Sequence, residues 1–169
     1  RALAGLWPWG AGTIARPKDE EMLYLPTGTP YLPRGSLKEV LAYPLETEKF
    51  PEEAFARSLG RLGLDRLVPL LNETRRWDRE LSQDEQLGLA LARIVMQAPP
   101  WLLTDDMLGA LDDQAMERVA DIFSHELEHT SIIHIGRAAQ ARDPLFQRVL
   151  HLVPSPLTLT AIPGGKAGQ

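Results

Sequence analysis

The stretch "WLLTDDMLGALD", residues Trp101–Asp112, decides the fold. It opens on a short apolar run closed by two carboxylates, Asp105 and Asp106, which suits a buried parallel strand. Upstream lies "LSQDEQLGLALARIV", Leu81–Val95. Here Ser82, followed three residues later by Glu85, forms a capping box that satisfies backbone N–H groups the first helical turn leaves orphaned. Leu87, Leu91, Ile94 and Val95 then recur at three- and four-residue steps, an apolar stripe on a helix reaching about Gln97. Downstream, Asp112 to Glu128 reads as an amphipathic helix with Met116, Val119, Ala120, Phe123 and Leu127 on one face, and "TSIIHIG" as a second buried strand. Strand–helix–strand at this spacing implies a parallel α/β sheet.

Further out the pattern changes. Arg1 to Leu6 reads as the tail of a helix, Thr13–Ala15 as a short edge strand, and Met22–Leu25 as a strand closed by Pro26. "TGTPYLPRGS" is a loop whose prolines forbid regular pairing. Ser36 caps a helix running to Tyr43 with Glu39 three residues on, and Pro51 sits in the first turn of another reaching Leu59. Three parts follow: 1–35 in the sheet unit, 36–98 as a helical insertion, and 99–169 back in the sheet. That last part adds strands in "RVLHLV" and "LTLTAI" and a tail, "PGGKAGQ".

Composition bounds what the chain can be. Its 169 residues, 44% apolar and 24% charged, suit a soluble globular domain with a sizeable core. A net charge of −5 argues against a dedicated nucleic-acid binder. With no cysteine, disulfides, thiolate metal sites and cysteine nucleophiles are excluded. No apolar run approaches the ~20 residues of a membrane-spanning helix. Any membrane link must come through a partner or another segment.

Three pieces in order carry a resemblance. "LSQDEQLGLALARIV" resembles the signature segment of ABC-transporter nucleotide-binding domains, commonly LSGGEQQR before an apolar helix containing Ala-Arg. "LLTDDMLGALD" resembles the Walker B strand and D-loop, usually four apolar residues then DEATSALD. "RALAGLWPWGAGTI" and "YLPRGSLKEVLAYP" are similar to the stretches after the Walker A loop and the Q-loop in the branch of peroxisomal fatty-acyl transporters and related bacterial exporters. The resemblance implies an α/β P-loop NTPase core with a parallel sheet and a helical signature subdomain. It also implies that the N-terminal strand and Walker A loop precede Arg1, so the chain is expected to be a fragment, inactive in isolation and prone to self-association through unpaired strand edges.

The same resemblance implies ATP and Mg2+ as cofactors, since the chemistry would be phosphoryl transfer to water, which rests on positioning and charge neutralisation. Asp105 takes the place of the Walker B aspartate that holds magnesium. Asp106 stands where the family has the glutamate that polarises the attacking water, one methylene shorter. Ser82, Asp84 and Glu85 take the signature positions that face nucleotide across a dimer. Asp84 replaces a glycine and adds negative charge there, and Gly88 replaces an arginine. Asp112 closes the D-loop, and its residue type also caps the following helix. Thr27 follows "YLP" where the Q-loop glutamine belongs. Arg137 replaces the switch histidine; a guanidinium suits a phosphate but is no neutral hydrogen-bond switch. His134, three residues earlier, reads as an inter-strand residue.

The function implied is the ATP-binding and hydrolysing domain of an ABC transporter with a degenerate site. It would couple ATP binding and dimerisation to a transmembrane permease domain of the same polypeptide. The second nucleotide-binding domain would be the partner, at the cytoplasmic face of a membrane, a bacterial inner membrane by this layout. The alternative is a non-catalytic dimerisation or regulatory domain retaining the fold, favoured by Asp84, Gly88 and Arg137. The "HELEH" string, His125–His129, has the four-residue histidine spacing of a metal site but reads as a solvated helix end. Trp7, Trp9, Trp77 and Trp101 read mostly as core or interface aromatics, Trp7 lying near an adenine in this layout.

Overall fold

The protein is described by a computed structural model covering residues 2–7, 9, 11–106, 111, 113–136, 146 and 148–150. Three parallel strands, β1 (Met22–Leu25), β4 (Trp101–Asp105) and β5 (Ser131–Ile135), form one sheet in the order β1-β4-β5. Register pairs Leu25 with Thr104 and Asp105 with Ile135. β4 is the middle strand, and Leu102, Leu103 and Thr104 are all buried, which is why its sequence is apolar without alternation. β5 departs from the buried strand expected of it. Its exposure alternates, with Ile133 and Ile135 more than a third exposed.

Between β1 and β4 stand β2 (Gly35–Ser36), α1 (Leu37–Ala42), α2 (Glu52–Arg61), β3 (Thr74–Arg75), α3 (Trp77–Glu80) and α4 (Gln83–Gln97), with a 3-10 turn at Asp65–Leu70. The stretch is mostly helical, and β2 and β3 form a two-residue antiparallel pairing, Gly35 with Arg75 and Ser36 with Thr74. Two-residue strands have no periodicity to read. Both expected caps form: Ser36 and Glu39 on α1, and Ser82 and Glu85 on α4, each as a reciprocal capping box. Pro51 sits at the N-cap of α2 rather than inside its first turn. The helix after the D-loop, α5 (Asp113–His125), is shorter than the 112–128 span expected.

α4 is the shaft of the molecule. Its Leu89 and Ala92 pack with Leu37, Val40, Leu41, Phe55, Leu59, Leu67 and Trp77 in one core. Its Ala90, Leu91 and Ile94 pack with Leu25, Leu102, Val119, Ile122 and Leu127 in a second core beside the sheet. Of the stripe read from sequence, Leu91 and Ile94 are buried while Leu87 and Val95 are half-buried. A helix packed on both sides is apolar nearly all round, so a single stripe describes it poorly. Two polar residues inside it have structural work. Arg93 donates to the Val40 carbonyl from Nε (3.1 Å) and from its terminal nitrogen (2.8 Å), and Gln97 Nε2 donates to the carbonyls of Leu41, Ala42 and Tyr43. These are carbonyls that the end of α1 leaves without helical partners, so α4 caps α1 from one turn of its own surface.

Several expectations fail locally. Residues 2–5 make one turn, ended at Gly5 (φ 73°), not the tail of a helix. Thr13–Ala15 is exposed and carries no regular structure, Ile14 being half exposed. Only Trp77 of the four tryptophans is buried; Trp7 and Trp9 pack edge to face at 5.1 Å and are exposed. Arg148–Leu150 has no regular structure, and the rest of "RVLHLV" and all of "LTLTAI" lie outside the described residues.

Candidate functional site

In a parallel sheet the crevice outside the C-terminal ends of the strands is where ligands bind. Here three strand ends are tied together at that edge. The Thr27 hydroxyl, two residues past β1, donates to the backbone carbonyl of Asp105 at 2.8 Å. The Tyr24 hydroxyl lies 3.5 Å from Asp105 Oδ2. The Asp106 amide donates to the Ile135 carbonyl of β5 at 2.7 Å. Asp106 has a φ of 49°, a left-handed backbone that Asp tolerates better than most residues. Its side chain therefore leaves the strand line at a sharp turn, the kind of strained position found at functional sites. Asp105 and Asp106 are half-buried and Thr27 is exposed.

Ser82, Asp84 and Glu85 form a second group at the start of α4. The Ser82 hydroxyl accepts from the Glu85 amide at 3.3 Å, and the Glu85 carboxylate accepts from the Ser82 amide at 3.0 Å while pairing with Arg66. Arg66, then the Ser82 amide, hold the Glu85 carboxyl below the usual glutamate range. Asp84 is exposed. Gly88, at the position of the family's arginine, packs closely on Leu64: a Cβ there would lie 3.1 Å from Leu64 Cδ1. Thr27, Asp105 and Asp106 are thus brought together, and Ser82, Asp84 and Glu85 share a helix N-terminus. Asp112 and Arg137 lie outside the described residues.

The donor set fits a magnesium ion shared with phosphates. Magnesium favours hard oxygens and takes only one or two carboxylates beside substrate phosphates and water. Asp105 supplies a carboxylate at the crevice, and Asp106 follows it. Among the described residues no group of three or more His, Cys, Asp or Glu side chains could hold a metal by itself. His125, the last residue of α5, and His129, in the turn beyond it, are both exposed. The tail "PGGKAGQ" lies outside the described residues. His134 is an inter-strand residue, its Nδ1 2.7 Å from the Thr104 hydroxyl and its ring stacked on Phe146.

Two residues of this region escaped the sequence reading. Tyr24 looked only like a strand residue. Arg93 is a charged residue inside an apolar helix, yet it is only 6% exposed. It is held by the Val40 and Tyr31 carbonyls and lies 5.5 Å from the centroid of the Tyr43 ring. Burial pushes its guanidinium down to about 10, so it stays charged at neutral pH. Both line a cavity of about 360 Å3 along β1, with Tyr31, Tyr43 and Ala90.

The fold is shared with a solved bacterial Atm1-family ABC exporter with ATP bound, at a TM-score of 0.59 and 19% identity over 74% of this chain and 22% of that one. No protein-family profile matches the chain. Among curated relatives, an uncharacterized ABC transporter ATP-binding protein of Synechocystis is 36% identical over 148 residues, 85% of this chain and 22% of that protein. ABC transporter D family member 3 of Dictyostelium discoideum is 31% identical over 80% of this chain and 19% of its own length. The chain spans about a fifth of the length of these relatives. It is a homologue of ABC-transporter ATP-binding proteins, D-family members among them, and carries the parallel α/β fold of their ATPase core.

Proposed function

We propose that this chain is part of an ATP-binding domain that takes ATP with Mg2+ and couples its binding, and pairing with a second such domain, to a membrane-spanning permease part of the same polypeptide. The observation that carries the reading is the Asp105 carboxylate at the tip of the central strand, on a residue whose backbone carbonyl is held by the Thr27 hydroxyl from the loop after β1. Asp105 would hold the magnesium, which neutralises charge on the phosphates when bound. Asp106 would orient the water, from a carboxylate one methylene short of the family's glutamate. Misplacement on that scale can cost ~100-fold in rate, so hydrolysis is expected to be slow. Ser82, with Asp84 and Glu85, would face nucleotide held by the second domain, and Asp112 and Arg137 would approach it from the D-loop and switch positions. Among the described residues no helix is long and apolar enough to cross a membrane. The proposed place is the cytoplasmic face, reached through the permease.

A second reading, a non-catalytic dimerisation or regulatory domain, is favoured by one observation. Ser82 and Glu85 hydrogen-bond each other and Glu85 also pairs with Arg66, so the helix start is already engaged. Calorimetry of magnesium-dependent ATP binding to the native protein, beside Asp105→Asn, separates the two. Saturable binding weakened by the substitution supports the motor domain. No binding, with the fold intact by circular dichroism, leaves the regulatory module.

A further inference from the structure

We propose that Tyr24 is a positioning residue for Asp105, its hydroxyl steering the carboxylate that would take magnesium. The inference rests on that reading of Asp105. Tyr24 pairs with Leu103 in the parallel ladder, and Asp105 stands two residues further along β4. Residues two apart on a strand share a face, so Tyr24 and Asp105 are diagonal neighbours on one side of the sheet. There the phenolic oxygen lies 3.5 Å from Asp105 Oδ2.

Thr27 and Tyr24 act on different parts of the same residue. Thr27 fixes the backbone carbonyl of Asp105, and Tyr24 meets its side chain. A carboxylate that binds a metal is held better when one oxygen has a hydrogen-bond donor and the other is left for the ion. At 3.5 Å the bond is weak by geometry, so its contribution is to orientation rather than to the stability of the fold. The ring itself is structural: Tyr24 forms part of the wall of the cavity beside β1, with Arg93 and Tyr31. Tyr24→Phe keeps that wall and removes only the hydroxyl.

The test uses the native protein loaded with a non-hydrolysable ATP analogue and titrated with Mn2+, read by electron paramagnetic resonance. Tyr24→Phe should weaken Mn2+ binding by about two- to threefold, the low end of what one hydrogen bond supplies. It should also change the Mn2+ line shape, leave metal-free nucleotide affinity unchanged and leave the melting temperature unmoved. Wild-type Mn2+ affinity in Tyr24→Phe, with binding lost in Asp105→Asn, overturns the role of Tyr24 and leaves the reading of Asp105 standing. Mn2+ binding that Asp105→Asn does not alter overturns that reading, and the role of Tyr24 with it.

Discussion

The Thr27 hydroxyl donates to the Asp105 carbonyl across 2.8 Å, so the loop leaving β1 holds the tip of β4. A threonine therefore does, through a backbone bond, part of the placing that a longer polar side chain could do by reaching the ligand itself. Thr27→Val keeps the shape and removes the donor. It should cost about 1 kcal/mol, the usual net value of such a bond. That is ~2–4 °C in melting temperature for a chain of this size, measured by thermal unfolding. Thr27→Ser should recover most of it. A valine variant that melts with the wild type would show that the loop is held by other contacts.

Arg93 is the buried cation whose partners are carbonyls. Its stabilisation comes from the C-terminal end of α1, where the helix dipole is negative and the Val40 carbonyl has no helical donor, and from the Tyr43 ring. Arg93→Met fills similar space but leaves the Val40 and Tyr31 carbonyls without this donor. Unsatisfied buried groups cost ~1–3 kcal/mol each, so the expected loss is about 2–4 kcal/mol in urea unfolding. A loss below ~1 kcal/mol would sink the capping account.

Glu85 makes acid stability depend on the start of α4. Its carboxyl is held below the usual glutamate range by Arg66 and the Ser82 amide, so the unfolded chain takes up its proton first. The stability it contributes is present above pH 4.5 and is lost as the pH falls through the lower folded value. Melting temperature between pH 6 and pH 3 should therefore fall less steeply in Glu85→Gln than in the wild type. Parallel curves would mean the Arg66 pair is screened into irrelevance.

Asp106→Glu pits chemistry against backbone. The longer side chain restores the reach of the family's residue, and steady-state ATP hydrolysis should rise, by up to ~100-fold if misplacement is the only defect. Glutamate tolerates a φ of 49° less well than aspartate, so about 1 kcal/mol of stability should be lost in the same variant. Unchanged turnover in a folded variant would place the defect elsewhere in the site, with Arg137 next to be changed.

Much of this was legible because it is local. The capping boxes at Ser36 and Ser82 need only two residues three apart, and β1 and β4 need only a short apolar run with a stop. What escaped depends on partners distant in sequence. Arg93 and Gln97 carry no local sign of their partners until Val40 to Tyr43 are brought beneath them. Tyr24 acquires a role only when Asp105, 81 positions on, lies beside it. Ile133 and Ile135 read as buried because apolar residues in a row carry no record of which neighbour covers them.

The two-sided burial of α4 has a kinetic consequence. A helix that supplies Leu89 to one core and Leu91 to the other has no face on which to slide or fray. Its central amides can reach solvent only when both cores open in the same event, so hydrogen exchange there should be among the slowest in the chain and should occur as one cooperative unit. Ser82, at the tip of that helix, inherits this rigidity and can be displaced only with the body that carries it.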